Sequence, residues 1–137
     1  MKGEVFLVED DLDVLEYYRF LLSVEGYSVW GADTNGEAAI ARFESAEQRP
    51  DAVILDHRLP GCHGNIVAQK MLELDPEVCI LYVTADDVGI QMAKELGIRR
   101  LKRKPCDNDR LMRNLRDGIE QRRQRLAERA SGPIRDR

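Results

Sequence analysis

The sequence predicts an α/β fold, a doubly wound parallel sheet of five strands that alternate with five helices. Short apolar runs such as Val5–Val8 and Ala52–Leu55 are continuous rather than alternating, as expected for strands buried on both faces. Each run is followed by a longer segment in which apolar residues recur every three or four positions, the spacing of an amphipathic helix. Regular alternation of the two patterns favours parallel pairing of the strands.

The first half of the chain is predicted to hold two strands and two helices. In chain order these are strand 5–8, helix 11–26, strand 27–32 and helix 34–46. Asp11 or Asp13 can serve near the start of the first helix, and Gly26 closes it. Thr34 is expected to cap the second helix, because Glu37 follows three residues later as a capping-box partner.

The second half continues the alternation and ends in a long helix. Its elements are strand 52–55, helix 65–74, strand 78–83, helix 86–96, strand 98–102 and helix 107–130. Pro76 prevents the third helix from continuing, and Gly97 stops the fourth. Residues 131–133, Ser-Gly-Pro, are expected to end the last helix. We therefore predict one domain over residues 1–120, and a helical extension with a disordered tail over residues 121–137 that could link to an output or partner domain.

The composition is that of an ordinary soluble protein, with 43% hydrophobic and 34% charged residues. No apolar run approaches the ~20 residues of a membrane span, and the predicted strand at Val5 leaves no room for a signal peptide. We therefore expect a cytoplasmic protein without a membrane partner. Three cysteines, Cys62, Cys79 and Cys106, are too few and too scattered for a disulfide framework.

Charge is distributed unevenly along the chain. Residues 1–98 contain 7 basic and 19 acidic side chains, whereas residues 99–137 contain 14 basic and 6 acidic ones. The basic segment is either a solvated helix or a docking or linker segment for a partner. Because it has no aromatic side chains on which bases could stack, we do not expect this domain to bind nucleic acid.

Polar side chains follow the predicted strands at the points where the strands end. Glu9 and Asp10 follow the first strand, Asp56 the third and Thr84 the fourth, while Lys104 follows the fifth. The carboxyl ends of parallel strands share one edge of the sheet, so these groups should meet in one cleft. Glu9 and Asp10 could alternatively serve only to complement the dipole of the helix that follows them.

This set of groups suits phosphoryl transfer. Closely spaced carboxylates repel one another unless a hard cation binds them, and Mg²⁺ accepts one or two carboxylates together with phosphate oxygens. Mn²⁺ is the alternative ion. Asp56 could act as a nucleophile towards phosphorus, while the Lys104 ammonium and the Thr84 hydroxyl neutralise developing charge.

The motifs at these strand ends resemble those of the receiver domain of two-component response regulators, in particular the single-domain regulators of chemotaxis. They are Val8-Glu9-Asp10-Asp11, Leu55-Asp56 with Leu59-Pro60-Gly61 and Gly64, Val83-Thr84-Ala85, and Lys104-Pro105. The resemblance covers residues 3–120 and implies a flavodoxin-like (βα)5 fold with strand order 2-1-3-4-5. It further implies that Asp56 is the phosphoacceptor, and that Glu9, Asp10, Asp56 and the backbone carbonyl of Arg58 bind Mg²⁺.

By the same resemblance, Thr84 carries the switch hydroxyl. The backbone of Ala85 helps to bind the phosphate, and the ammonium of Lys104 pairs with the phosphate. The Lys104–Pro105 bond is a candidate cis peptide. The chain departs from the family pattern at Leu101, where an aromatic residue usually turns inward on activation. Cys106 likewise replaces a usual phenylalanine.

Three further residues lie near the predicted phosphate site. Arg58 and Asp86, each two residues past a site residue, should rim the phosphate, where their opposite charges could pair and restrict attacking water. An exposed ion pair without kinetic effect is the alternative. His57, directly after Asp56, is expected in an exposed loop.

The resemblance implies a signalling switch and not a metabolic enzyme. A histidine kinase or histidine phosphotransfer protein would phosphorylate Asp56, and the chain would catalyse only its own phosphorylation and dephosphorylation. A homodimer through the face of helix 4, strand 5 and helix 5, and an output domain of unknown type, are further expectations. The alternatives are a phosphorylation-independent interaction module, or a phosphatase of the haloacid dehalogenase type. The phosphatase requires a second aspartate where this chain has Arg58.

Overall fold

The structure, a computed structural model, describes residues 2–135, with side chains as far as residue 131. Five strands and five helices alternate along the chain, so the predicted fold class is confirmed. The elements are β1 Glu4–Val8, α1 Leu12–Glu25, β2 Ser28–Asp33, α2 Gly36–Ser45, β3 Ala52–Leu55, α3 Gly64–Leu74, β4 Ile80–Thr84, α4 Asp87–Glu95, β5 Leu101–Arg103 and α5 Asn108–Arg135.

The strands form one parallel sheet in the order β2-β1-β3-β4-β5, as predicted. The register places Val8 opposite Leu55 and Leu55 opposite Tyr82, so β1, β3 and β4 end at the same level. Thr84 at the end of β4 is paired with Arg103 at the end of β5. The residues that follow these strands are therefore brought to one edge of the sheet.

Alternate strand residues face opposite sides of the sheet and build two separate apolar layers. One layer packs against α1 and α5; its largest buried members are Leu7, Ile54, Leu81, Leu22, Leu111 and Leu115. The other packs against α2, α3 and α4; it contains Phe6, Leu55, Tyr82, Phe43, Met71 and Ala93. Both faces of β1, β3 and β4 are covered, which explains their continuous apolar sequence.

The ends of the first two helices show one confirmed cap and one correction. The side chain of Asp11 caps α1, and Gly26 closes it with φ of 91°, a conformation that favours glycine. The predicted cap of α2 at Thr34 is wrong. Asn35 caps this helix instead, because its side-chain oxygen accepts hydrogen bonds from the backbone N–H groups of Glu37 and Ala38 at 2.8 and 3.1 Å.

The last strand and the last helix also differ from the prediction. β5 is shorter than the predicted strand 98–102, because the N–H of Leu101 bonds locally to the carbonyl of Arg99 at 3.1 Å. The predicted helix end at residues 131–133 is wrong, since α5 continues to Arg135. Pro133 lies in the final turn of α5. Its missing N–H removes one hydrogen bond close to the helix end, where the last carbonyl groups have no partner within the helix in any case. Residues 136–137 of the predicted tail lie outside the described residues.

Ion pairs hold the part of α5 beyond residue 120 against the segment between α3 and β4. The guanidinium of Arg122 bonds to the carboxylate of Asp75 and to the backbone carbonyl of Glu77, each at 3.0 Å. Arg125 and Arg129 pair with the carboxylate of Glu77 at 3.7 and 2.9 Å. The helix therefore stays in contact with the sheet domain past the predicted boundary. No helix within residues 2–135 is both long enough and apolar enough to cross a bilayer.

Candidate functional site

The sheet ladder continues past the strand ends and fixes the backbone of the site. The N–H of Glu9 donates to the carbonyl of Asp33 at 3.1 Å, and the N–H of Asp56 donates to that of Val8 at 3.0 Å. On the other side, the N–H of Lys104 donates to the carbonyl of Thr84 at 3.0 Å. The side chains of Glu9, Asp56 and Lys104 consequently start from a rigid edge.

Three carboxylates converge at this edge. One oxygen from each of Glu9, Asp10 and Asp56 lies within 4.8 Å of the other two. Glu9 and Asp56 are buried, whereas Asp10 is exposed. Partial burial and the neighbouring Glu9 raise the pKa of Asp10, as expected for clustered acids. The backbone N–H of His57 donates to Asp56 Oδ1 at 2.8 Å, and the backbone N–H of Asp11 donates to Glu9 Oε2 at 3.2 Å. These hydrogen bonds partly compensate the negative charge of the carboxylates.

Lys104 supplies the opposite charge. Its Nζ lies 2.6 Å from Glu9 Oε1 and 3.5 Å from Asp56 Oδ2. Burial of the ammonium disfavours its charged form, but the hydrogen bond to Glu9 and the charge of Asp56 outweigh this and raise the pKa of Lys104. The peptide bond between Lys104 and Pro105 is cis.

Thr84 connects the site to the start of α4. Its side chain is buried, and its Oγ1 accepts a hydrogen bond from the N–H of Asp86 at 3.1 Å. Asp86 caps α4 through a bond from the N–H of Val88 at 2.9 Å. Its carboxylate also lies 2.7 Å from a guanidinium nitrogen of Arg58. The hydrogen bond from Val88 and the charge of Arg58 lower the pKa of Asp86. The opposite charges expected at the rim are thus in contact.

The donor set suits a hard divalent cation. Three carboxylates within reach of one ion offer only oxygen ligands, which is the chemistry that Mg²⁺ and Mn²⁺ accept. The exposed Asp10 leaves one side of the cluster open to solvent. Ala85, whose backbone is predicted to bind phosphate, follows Thr84 and is exposed. Leu101, the departure from the aromatic pattern, is half-buried on β5, directly opposite Tyr82 of β4.

The prediction that His57 lies exposed is wrong, since its side chain is 4% exposed. His57 follows Leu55 by two residues, so it faces the same side of the sheet as Leu55 and points towards α4. Its Nδ1 lies 2.6 Å from the hydroxyl of Tyr82. Burial and the neighbouring His63 lower the pKa of His57, while burial raises the pKa of Tyr82, so both groups are neutral near pH 7. Continuing the strand alternation one step beyond Asp56 would have found this residue.

Comparison with known proteins finds one family model and several relatives that match most of the chain. A family model described as the response regulator receiver domain matches residues 5–116. The sporulation initiation phosphotransferase F of Bacillus subtilis is 29% identical over 122 residues, covering 88% of this chain and 93% of that protein. The transcriptional regulatory protein AruR of Pseudomonas aeruginosa is 31% identical and covers 98% of this chain, but the chain spans only 56% of AruR.

Solved structures agree on the architecture. The receiver domain of the sensor histidine kinase PA1611 from Pseudomonas aeruginosa, described with a magnesium ion coordinated in its active site cleft, superposes with a TM-score of 0.77 at 26% identity. The match covers 86% of this chain and 98% of that one. A CheY-like receiver domain from Methanospirillum hungatei shares the fold with a TM-score of 0.80 at 21% identity, over 89% of this chain and 97% of that one.

Proposed function

Because this chain belongs to the response regulator receiver family, we propose that it is a phosphorylation-controlled switch whose phosphoacceptor is Asp56. The observation that carries the proposal is the convergence of Glu9, Asp10 and Asp56 with the ammonium of Lys104 at the carboxyl edge of the sheet. Three carboxylates and one ammonium are brought together at a single edge of the sheet. They supply the nucleophile, the ligands for a divalent cation and a fixed positive charge.

The surroundings of Asp56 support a proposal for which of its oxygens would react. Oδ1 accepts the N–H of His57 at 2.8 Å, whereas Oδ2 faces Nζ of Lys104 at 3.5 Å. We assign the attack on phosphorus to Oδ2. A new O–P bond forms there, and the bond between phosphorus and the donor atom breaks. The donor atom is a phosphohistidine nitrogen or the leaving oxygen of a small acyl phosphate, and it keeps the electron pair of the broken bond. Lys104 lies where it can stabilise the transferred phosphoryl group.

Glu9, Asp10 and Asp56 would hold Mg²⁺, or Mn²⁺ in its place, with the backbone carbonyl of Arg58 as a further ligand. When bound, the ion supplies positive charge to the phosphoryl oxygens. The protein itself would also bind the phosphate, through hydrogen bonds from the Ala85 backbone and the Thr84 hydroxyl.

We propose that the signal leaves the site through the start of α4. The Thr84 hydroxyl oxygen accepts the N–H of Asp86, the N-cap of that helix. If Thr84 turns towards a phosphoryl group, that N–H loses its acceptor and the first turn of α4 must adjust. Exchange between two such arrangements would alter the face formed by α4, β5 and α5, which is the expected docking surface.

The phosphodonor would be a sensor histidine kinase or a histidine phosphotransfer protein of a two-component phosphorelay. The chain would then be a signalling protein with only autophosphorylation and autodephosphorylation activity. Homodimerisation through α4, β5 and α5, or attachment to an output domain, would convert the altered face into a response. The longer transcriptional regulators among the relatives are consistent with the second arrangement.

The experiment is intact-mass analysis after incubation with acetyl phosphate, with and without Mg²⁺, on the wild type and on Asp56→Asn. We expect one phosphoryl adduct on the wild type with Mg²⁺, and none when either the metal or Asp56 is removed. An unmodified wild-type protein would contradict the proposal and favour a phosphorylation-independent interaction module. Multiple turnovers of p-nitrophenyl phosphate would favour the phosphatase instead.

A further inference from the structure

A polar pair lies inside the apolar layer between the sheet and α4. The imidazole Nδ1 of His57 and the hydroxyl of Tyr82 are 2.6 Å apart, and either group can donate, depending on the imidazole tautomer. Tyr82 is fully buried and His57 is nearly so. A polar group at such a place is costly unless it is hydrogen-bonded, so the two side chains hold each other in place.

The backbone of His57 is held as firmly as its ring. Its N–H donates to Oδ1 of Asp56, the residue before it, at 2.8 Å. Its carbonyl accepts the N–H of Gly64, the first residue of α3, at 2.7 Å. His57 is therefore bonded to the phosphoacceptor on one side and to two neighbouring secondary-structure elements on the others.

The imidazole ring also determines how closely α4 approaches the sheet. A Cβ atom added to Gly89, in the first turn of α4, would lie 2.7 Å from Cγ and 2.8 Å from Cβ of His57. These atoms are next to the backbone, so the ring could not swing aside cheaply. Only a residue without a side chain allows the helix to lie against the imidazole at this distance. The ring and the helix backbone are thus in direct contact.

The outer side of the same turn is held by charge. Arg58, next to His57, pairs with Asp86, and Arg103 of β5 pairs with Asp87. The arginine side chains of these pairs are 71% and 57% exposed, so solvent screens both pairs and the arginines can rearrange. The contact of His57 with Gly89 is buried. A change in the distance between these two residues would therefore require the side chains around them to repack.

We propose that His57 is a positioning residue that couples Asp56 to helix α4, through its hydrogen bond to Tyr82 and its contact with Gly89. The proposal rests on the proposed function of Asp56. Phosphorylation changes the charge and position of the Asp56 carboxyl group, and the His57 N–H that is bonded to Oδ1 must follow it. Because the ring is fixed by Tyr82, a shift of the His57 backbone is passed to Gly89 instead of being absorbed by rotation of the side chain.

The residue opposite Tyr82 explains why this chain would need such a device. Leu101 occupies the β5 position directly across from Tyr82, where the resemblance to receiver domains predicts an aromatic residue. A leucine has no polar group with which to follow a change at the site. The aromatic hydroxyl is instead supplied by β4, one strand nearer to Asp56.

The first test uses Tyr82→Phe, which removes the hydroxyl and keeps the ring. Beryllofluoride with Mg²⁺ serves as the phosphoryl mimic, and hydrogen exchange of the α4 amides, residues 87–95, is the readout. We expect the mimic to change exchange in wild-type α4, and Tyr82→Phe to lose at least half of that change. Tyr18→Phe, which alters a buried tyrosine of α1 on the other face of the sheet, should retain it.

The outcomes separate the two proposals. If Tyr82→Phe still forms the acetyl phosphate adduct and responds in α4 like the wild type, the coupling is wrong while the function of Asp56 stands. If the wild type forms the adduct without any change in α4, the coupling is also wrong. If the wild type forms no adduct, the proposed function fails, and the coupling fails with it.

A second test does not depend on phosphorylation. Gly89→Ala should displace the first turn of α4 and speed hydrogen exchange there. A second change, His57→Gly, removes both Cγ and Cβ of His57, so it should make room for the added methyl group and restore slow exchange. A merely local defect of the helix would not be repaired by a substitution two residues beyond the end of β3. Normal exchange in Gly89→Ala, or no repair in the double variant, would overturn the contact on which the coupling depends.

Discussion

Replacing Lys104 by methionine removes the only positive charge that the structure places within 4 Å of both Glu9 and Asp56 in its described part. The side chain of Glu9 is 3% exposed and that of Lys104 25%. Removing one partner of a fully buried pair costs ~3–5 kcal/mol; because Lys104 is partly solvated, we expect a loss of about 2 kcal/mol in the free energy of unfolding. The pKa of Lys104 is raised on folding, so this contribution is complete at neutral pH and disappears only as the pH rises through the raised pKa.

The assay is urea denaturation followed by the fluorescence of Trp30, the single tryptophan of the chain. Lys102→Met is the matched control, since Lys102 lies on β5, two residues before Lys104, and forms no ion pair among the described residues; its effect should stay within ~0.5 kcal/mol. Mg²⁺ should stabilise Lys104→Met more than the wild type, because the cation replaces the lost charge among the carboxylates. Equal stability of Lys104→Met and the wild type, or equal stabilisation of both by Mg²⁺, would refute the electrostatic reasoning.

Three further predictions concern separate parts of the molecule. If the Arg58–Asp86 pair restricts water at the rim, Arg58→Ala and Asp86→Ala should each speed loss of the phosphoryl group, as followed by intact mass over time; unchanged rates would leave the pair a surface contact. Arg122→Ala should lower the free energy of unfolding by about 2 kcal/mol in urea, because the side chains of Arg122 and Asp75 are only 11% and 14% exposed. Arg113 is exposed, so Arg113→Ala should leave the free energy of unfolding unchanged. Indistinguishable urea denaturation curves for the two variants would show that the extension contributes nothing to stability. Burial raises the pKa of Cys79 to about 11. Roughly one molecule in a thousand then carries the thiolate at pH 8, so peptide-resolved alkylation should be far slower in the native than in the unfolded protein, and equal rates would contradict this.

The parallel sheet could be predicted because its pattern is local. Val5–Val8 and Ala52–Leu55 are apolar at every position, and burial on both faces is the usual reason for such a run. The packing of α5 beyond residue 120 could not be predicted in the same way. It depends on pairs such as Arg129 with Glu77, which join residues far apart in sequence.

The candidate site likewise has a part that chain order predicts and a part that depends on contacts between residues far apart in sequence. The strand-end positions of Asp56 and Thr84 follow from chain order, so sequence places them at one edge of the sheet. The bond between Lys104 and Glu9 joins residues 95 positions apart, and no local pattern contains it. His57 was misplaced because a loop was expected to begin immediately after Asp56, whereas the alternation of buried side chains continues for one more step.

The measurement that tests the central claim most directly is the position of the phosphoryl group. Protein treated with acetyl phosphate and Mg²⁺ would be reduced with borohydride, which converts an aspartyl phosphate to homoserine, and digested with trypsin. The fragment expected around the site, residues 43–58, contains both Asp51 and Asp56, so fragment ions must separate them. We predict homoserine at residue 56 alone and only when Mg²⁺ is present. Homoserine at Asp51 or at Asp10, or 2-amino-5-hydroxypentanoic acid, the reduced form of a glutamyl phosphate, at Glu9, would contradict the assignment of Asp56 as the phosphoacceptor. A phosphoryl group that borohydride does not convert would also contradict it.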